Sequence, residues 1–339
     1  MLKKLSIFIL LCLTAVLSAQ KVTNARFEQV GKQVELTYTL DKQADISVYL
    51  STDGGKTYGS ALRAVTGDVG RQVSPGQKKI IWSPLDERDG IVSGSVVFKI
   101  VPSGVRQTKT VTVNGVTFTM VYVEGGTFTM GCTSEQGSDC YNDEEPAHSV
   151  TLSSYYIGQT EVTQGLWQAV MGSNPSYFKK GNNYPVESVS WYDCQNFISR
   201  LNSLTGLRFA LPTEAQWEFA ARGGKNSRGY KSSGSNSVGD VAWYSDNSSS
   251  TTHPVGQKKP NELGIYDMSG NVWEWCQDWY GSYSSSSQSN PTGASSGSYR
   301  VARGGGWGRD AGYCRVSHRG IRTPDYRNSY LGLRLVLAP

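Results

Sequence analysis

Asn261-Glu262-Leu263-Gly264-Ile265-Tyr266-Asp267-Met268-Ser269-Gly270-Asn271-Val272-Trp273-Glu274-Trp275 is the stretch on which the reading of this chain turns. It sets turn-forming Gly, Asn, Asp and Ser residues directly before an aromatic run, Trp273-Glu274-Trp275, followed by Trp279-Tyr280. The tryptophans read as core rather than as a sugar platform. Asp267 and Glu274 either cap turns and pair with arginine, or supply oxygen ligands to a hard cation.

Outward from this stretch, other dense segments keep a fixed order. Gly125-Gly126-Thr127-Phe128-Thr129-Met130-Gly131 and Tyr156–Thr163 precede it, followed by Pro185–Trp191 and Leu211–Gly223; Arg303-Gly304-Gly305-Gly306-Trp307 and Asn328–Arg334 come after it. In this order they resemble the sulfatase-modifying-factor family, also called formylglycine-generating-enzyme-like. The resemblance covers roughly 115–339. It implies an α+β fold related to C-type lectins, with much irregular structure.

The resemblance also implies sites. Family members convert a sulfatase cysteine to formylglycine with copper and oxygen, using two cysteines five residues apart. Two soft thiolates converging on Cu(I) suit that chemistry. The second position falls on Cys314, preceded by the matching Tyr313, but the first falls on Arg309. A guanidinium has no lone pair to give, so the oxidase is the alternative reading, with Cys314 and Tyr313 as its residues. The family's calcium site transfers to the Asp267 side chain, the Gly270 and Val272 carbonyls and the Glu274 carboxylate.

Composition bounds the rest. The 339 residues suit two domains. Nine Trp, nineteen Tyr and nine Phe exclude global disorder, and 38 Gly point to a loop-rich protein. There are 33 Lys and Arg against 28 Asp and Glu, scattered without a basic run, so no nucleic-acid partner is expected. Lys3-Lys4, an apolar Leu5–Leu17 and Leu17-Ser18-Ala19 before Gln20 read as a signal peptide over 1–19. The expectation is an exported protein, periplasmic or secreted, without a transmembrane segment in the mature chain.

Residues 20–102 alternate apolar and polar side chains, as in Val34, Leu36, Tyr38, Leu40 and Ile46, Val48, Leu50. About seven short strands predict an all-β, Ig-like sandwich. Residues 103–109 read as a linker, and 110–339 as the second domain. There, Val111–Val113 and Val116–Val123 form a hairpin about Asn114-Gly115. Thr163 caps a helix over Gln164–Met171. Ser190–Asp193 is a capping box ahead of Cys194, Phe197, Ile198, Leu201 and Leu204, and Thr213–Gln216 opens a helix over Glu214–Arg222.

Export permits disulfides. Cys132 and Cys140, eight apart in a polar loop, are expected to pair. Cys194 reads as a buried free thiol, and Cys314 as either a copper thiolate or the partner of Cys276. His148, His253 and His318 form no metal-binding pattern and read as structural, and Glu214/Glu218 as no acid–base pair. Arg300, Arg303, Arg309, Arg315, Arg319 and Arg322 either floor a site for an anionic ligand or pair with acids. The leading reading is a non-catalytic binding or scaffolding module of the cell envelope. It holds a protein or glycan on the loop surface around 300–325, with Trp307, Arg309 and Arg315 facing the ligand.

Overall fold

A computed structural model describes residues 21–59, 61–86, 95–104 and 108–338. The expected signal peptide lies outside these. The chain forms two compact units, 1–106 and 107–339.

Among the described residues the first unit holds seven strands: β1 (Val22–Val30), β2 (Gln33–Leu40), β3 (Ala44–Ser51), β4 (Val65–Gly67), β5 (Gly70–Val73), β6 (Gly76–Trp82) and β7 (Val97–Gly104). They make two sheets, ordered β1-β2-β6-β4 and β5-β3-β7. Period-2 patterning places Leu36, Tyr38 and Leu40 of β2 in one core with Ile46, Val48 and Leu50 of β3. Of the segment expected as a linker, 103–109, residues 105–107 lie outside the described residues. β7 stays paired with β3 as far as Gly104, and β8 pairs from Thr108 onward.

The second unit begins with the hairpin of β8 (Thr108–Val113) and β9 (Val116–Val123). Its turn residues Asn114 and Gly115 both take positive φ, 46° and 79°, as a two-residue hairpin loop requires. β10 (Gly126–Met130), β11 (His148–Leu152) and β12 (Tyr155–Gly158) follow, then α1 (Gln164–Met171), α2 (Trp191–Thr205), β13 (Phe209–Ala210), α3 (Glu214–Ala221) and α4 (Val238–Val241). The remainder is β14 (Trp273–Trp279), β15 (Gln288–Ser289), β16 (Arg300–Arg303), β17 (Arg319–Arg322), β18 (Leu331–Leu333) and β19 (Val336–Leu337). The unit is thus mostly β with a few helices.

The helix starts follow the local chemistry. The side chains of Thr163, Ser190 and Thr213 each accept a backbone N–H of the first turn. Gly172 and Gly206 end α1 and α2 in left-handed geometry. α2 buries Trp191, Cys194, Phe197, Ile198 and Leu201. Leu204, expected on the same face, is 51% exposed in the last turn.

Two sheets place the site. One runs β13-β19-β12-β9-β8; the other runs β17-β16-β14-β18, with β17 at its edge. The Trp273–Trp279 strand lies inside the second sheet, and Trp273 and Trp275 are buried in the core.

Candidate ligand pocket

After β16 the chain turns sharply at Gly304 and Gly305, with φ of 98° and 74°. A Cβ on Gly305 would stand 2.8 Å from the Tyr313 carbonyl oxygen and 3.0 Å from Cys314 Sγ. Only glycine allows this close approach. The loop therefore folds back on Cys314 and seals its thiol inside. Cys314 is fully buried, and burial pushes the thiol up to about 12. Ser269 fixes the same residue by donating to its carbonyl, at 2.7 Å.

Tyr313 faces the other way, into a cavity of about 680 Å³. Tyr141, Trp273, His318 and the whole of β17 also line it, whereas Cys314 does not. The rings pack edge to face around His318, with centroids at 4.8 Å from Tyr313, 5.2 Å from Tyr141 and 5.6 Å from Trp273. Trp273 Nε1 is buried without a hydrogen-bond partner, and His318 Nδ1 lies 3.8 Å from Glu144 Oε1, beyond hydrogen-bond length. Burial lowers the His318 value, so the imidazole favours its neutral form.

Two cations complete the wall. Arg309 lies 5.5 Å from the Tyr313 ring and 5.3 Å from Tyr330; Arg322 lies 5.5 Å from Tyr326 and 5.9 Å from Tyr330. Among the described residues neither forms an ion pair with a carboxylate. Burial opposes ionisation of Tyr330, but hydrogen bonding with Tyr326, Arg322 and Arg309 and the Arg322 charge outweigh it, so Tyr330 sits below the usual phenol range. A second cavity of about 680 Å³ runs along β9 and α1, but Glu161 is the one ionisable residue in its lining.

The neighbouring arginines are spent inside the fold. Arg303 pairs with Glu218, Arg319 takes both oxygens of Glu214 at 2.7 and 2.8 Å, and Arg315 takes both oxygens of Glu144. Arg315 therefore does not face a ligand: it is buried, and its charge is satisfied by Glu144. Trp307 is half-buried, donates its indole N–H to the Ser329 carbonyl at 3.0 Å, and does not line the cavity. Of the expected ligand-facing set, Arg309 alone reaches the cavity.

Of the expected calcium ligands, the Asp267 and Glu274 carboxylates are buried within electrostatic reach of a third carboxylate, Glu161. Arg334 donates to both oxygens of Glu274, and Trp217 adds its indole N–H at 2.7 Å. A cation here would share Glu274 with Arg334. Asp267 Oδ2 accepts the Gly256 N–H at 2.6 Å; burial first, then the Glu274 charge, raise it to about 6. Burial and the charges of Asp267 and Glu274 raise Glu161 as well. Three buried carboxylates thus face one guanidinium, and the donors are all oxygen, which suits a hard cation. Among the described residues no three His, Cys, Asp or Glu side chains converge to hold a metal, but the expected set needs only two, with two backbone carbonyls.

Cys132 and Cys140 form a disulfide, and Cys194 is a buried free thiol, as expected. The bond between Cys276 and Cys314 does not form: both are buried free thiols. Cu(I) needs an accessible thiolate, and these residues do not fit it: the Cys314 thiol is sealed behind Gly305 and held protonated by burial. Tyr141 and His318 are pocket residues that the sequence reading missed. The one signal for Tyr141 was its place beside Cys140.

Three comparisons bear on this geometry. A family model described as a sulfatase-modifying factor enzyme 1-like domain matches residues 106–339. The chaperone protein LppX of Paenibacillus barcinonensis is 35% identical over 267 aligned residues, covering 64% of this chain and 88% of that protein. The formylglycine-generating enzyme of Streptomyces coelicolor is 29% identical over 281, covering 63% and 87%. Among solved structures, Treponema denticola variable protein 1 matches with a TM-score of 0.63 at 37% identity, covering 68% of this chain and 99% of that one.

Proposed function

The chain belongs to the sulfatase-modifying factor enzyme 1-like family, and from that premise we propose that it is an exported, non-catalytic binding module of the cell envelope. Two things support the reading: Arg309 lines the cavity wall, at the position where the family resemblance puts the first copper thiolate, and the remaining thiol, Cys314, is closed off behind Gly305. A site without an accessible thiolate cannot exchange a substrate thiol onto Cu(I). What the cavity offers instead is a set of aromatic edges, two guanidinium groups that pair with no carboxylate among the described residues, and the unpartnered indole N–H of Trp273. That chemistry recognises rather than transforms. The resemblance to a protein named as a chaperone, alongside enzymes of the family, supports the same direction.

In this reading the Ig-like first unit is a spacer, and the lectin-like loop surface around 300–325 holds a protein or glycan in the periplasm or outside the cell. Calcium, held by Asp267, Gly270, Val272 and Glu274, would neutralise the buried acidic cluster behind the pocket. The test is oxygen uptake by the purified protein with Cu(I) and a sulfatase-derived cysteine peptide. The module reading expects none above the copper blank. Copper-dependent uptake with formylglycine in the peptide would establish the oxidase instead.

A further inference from the structure

We propose that the pocket takes an extended acidic peptide segment, which adds as a strand to β17 and places one carboxylate between Arg309 and Arg322. The proposal rests on the binding-module reading and names the ligand class of that site.

The first observation is the sheet edge. β17 pairs with β16 on one side, in the register Arg300↔Arg322 to Arg303↔Arg319, and no described strand pairs with its other side. All four residues of β17 line the cavity. An edge strand beside a cavity is a template for a further strand, with main-chain hydrogen bonds giving affinity and neighbouring side chains giving selectivity. A sugar can hydrogen-bond single edge groups but has no repeating N–H and C=O to continue the ladder, which favours a peptide over a glycan.

The second observation is charge. The lining carries Arg309, Arg319 and Arg322 against Asp143 alone. Arg319 is committed to Glu214, and Asp143 Oδ2 accepts the Tyr280 hydroxyl at 3.1 Å. Elsewhere in this unit Arg222, Arg303, Arg315, Arg327 and Arg334 each hold a carboxylate, even Arg327 at the surface. Among the described residues the two guanidinium groups that share the Tyr330 ring pair with no carboxylate, as is also true of Arg200, Arg208 and Arg300; Arg322 Nη1 donates to the Ile321 carbonyl of β17 and would have to leave it to take the ligand. A guanidinium binds a carboxylate in a fork of parallel hydrogen bonds. The Tyr330 and Tyr326 hydroxyls, 2.7 Å apart, lie beside them.

The test uses the full mature chain and a fluorescein-labelled, end-blocked peptide of alternating Val and Thr with one central Glu, followed by anisotropy. Three probes accompany it: the Gln version, the Glu version N-methylated at alternate amides, and free glucuronate as competitor. The expected result is binding of the Glu peptide that weakens at least tenfold in the Gln and N-methyl versions and in Arg322→Gln or Arg309→Gln. Arg322→Lys should recover part of it, which also shows that the fold is intact. Equal binding of the Gln peptide, undiminished binding of the N-methyl peptide, or no binding of the Glu peptide at millimolar concentration would overturn the proposal. So would displacement by glucuronate at lower concentration than by unlabelled peptide. Each of those outcomes leaves the non-catalytic reading standing, since that reading falls to copper-dependent oxygen uptake or to a native, Cu(I)-protected Cys314 thiol, neither of which this experiment reads.

Discussion

Arg315 grips both carboxylate oxygens of Glu144, a residue 171 positions earlier in the chain. Ser317 donates to the same carboxylate at 2.5 Å, and both Arg315 and Glu144 are buried. The pair ties the loop that carries Tyr141 to the segment between Tyr313 and His318, both of which line the cavity. Removing one partner strands a buried charge, which costs about 3–5 kcal/mol. Glu144→Ala should therefore lower the stability of the second unit by that order in urea unfolding followed by tryptophan fluorescence. An exchange costing under about 1 kcal/mol, typical of an exposed pair, would show that the loop is not held this way.

Asp278 gives a pH dependence of known sign. It is 3% exposed; burial first, and the Glu214 charge second, raise it to about 7, against the opposing Glu214 backbone N–H and the charges of Arg319 and Arg300. The folded state then holds this proton more tightly than the unfolded state, whose carboxyl titrates near 3.9. Its contribution to stability falls as pH rises from about 4 to about 7 and is level above that. Asp278→Asn keeps an acceptor for the Glu214 N–H and should remove this part of the slope. Unfolding curves of both proteins at pH 5 and pH 8 measure it, and parallel changes in the two would contradict the assignment.

These long-range pairs mark where sequence reading stops. The caps at Thr163, Ser190 and Thr213 were legible because cap and partner lie three residues apart. The hairpin at Asn114-Gly115 was legible because positive φ at two adjacent positions selects those residues. The Cys132–Cys140 bridge closes a short polar loop. Nothing local, however, says that Arg315 will turn inward to Glu144 while Arg309, six residues before it, stays on the cavity wall. That choice is made by the Gly304-Gly305 turn, whose geometry depends on Cys314 packing behind it. The Cys276–Cys314 pairing failed for the same reason: two cysteines in a core need not meet.

The buried acidic cluster predicts a response to calcium. Adding Ca²⁺ to protein stripped with EGTA should raise the melting temperature of the second unit. At a hundredfold excess over Kd the gain is about 2.7 kcal/mol. Asp267→Ala should abolish the shift. Identical melting curves with and without Ca²⁺ would exclude calcium from this cluster.

The disulfide predicts a smaller effect. Cys132 and Cys140 lie eight positions apart, and opening so short a loop costs roughly 2.5 kcal/mol in the chain-entropy view. The double change Cys132→Ser with Cys140→Ser should lower stability by that order. The Glu144 tether would still hold the pocket wall, so peptide binding should weaken less than in Arg322→Gln. Complete loss of binding would show that the bridge, not the ion pair, positions Tyr141.

The most direct measurement is alkylation of the native mature protein by iodoacetamide, read by peptide mass spectrometry without reduction. The account predicts no label on Cys314 until the chain is unfolded, when Cys194, Cys276 and Cys314 should all react. Rapid native labelling of Cys314, blocked by Cu(I), would contradict it and return the pocket to oxidase chemistry.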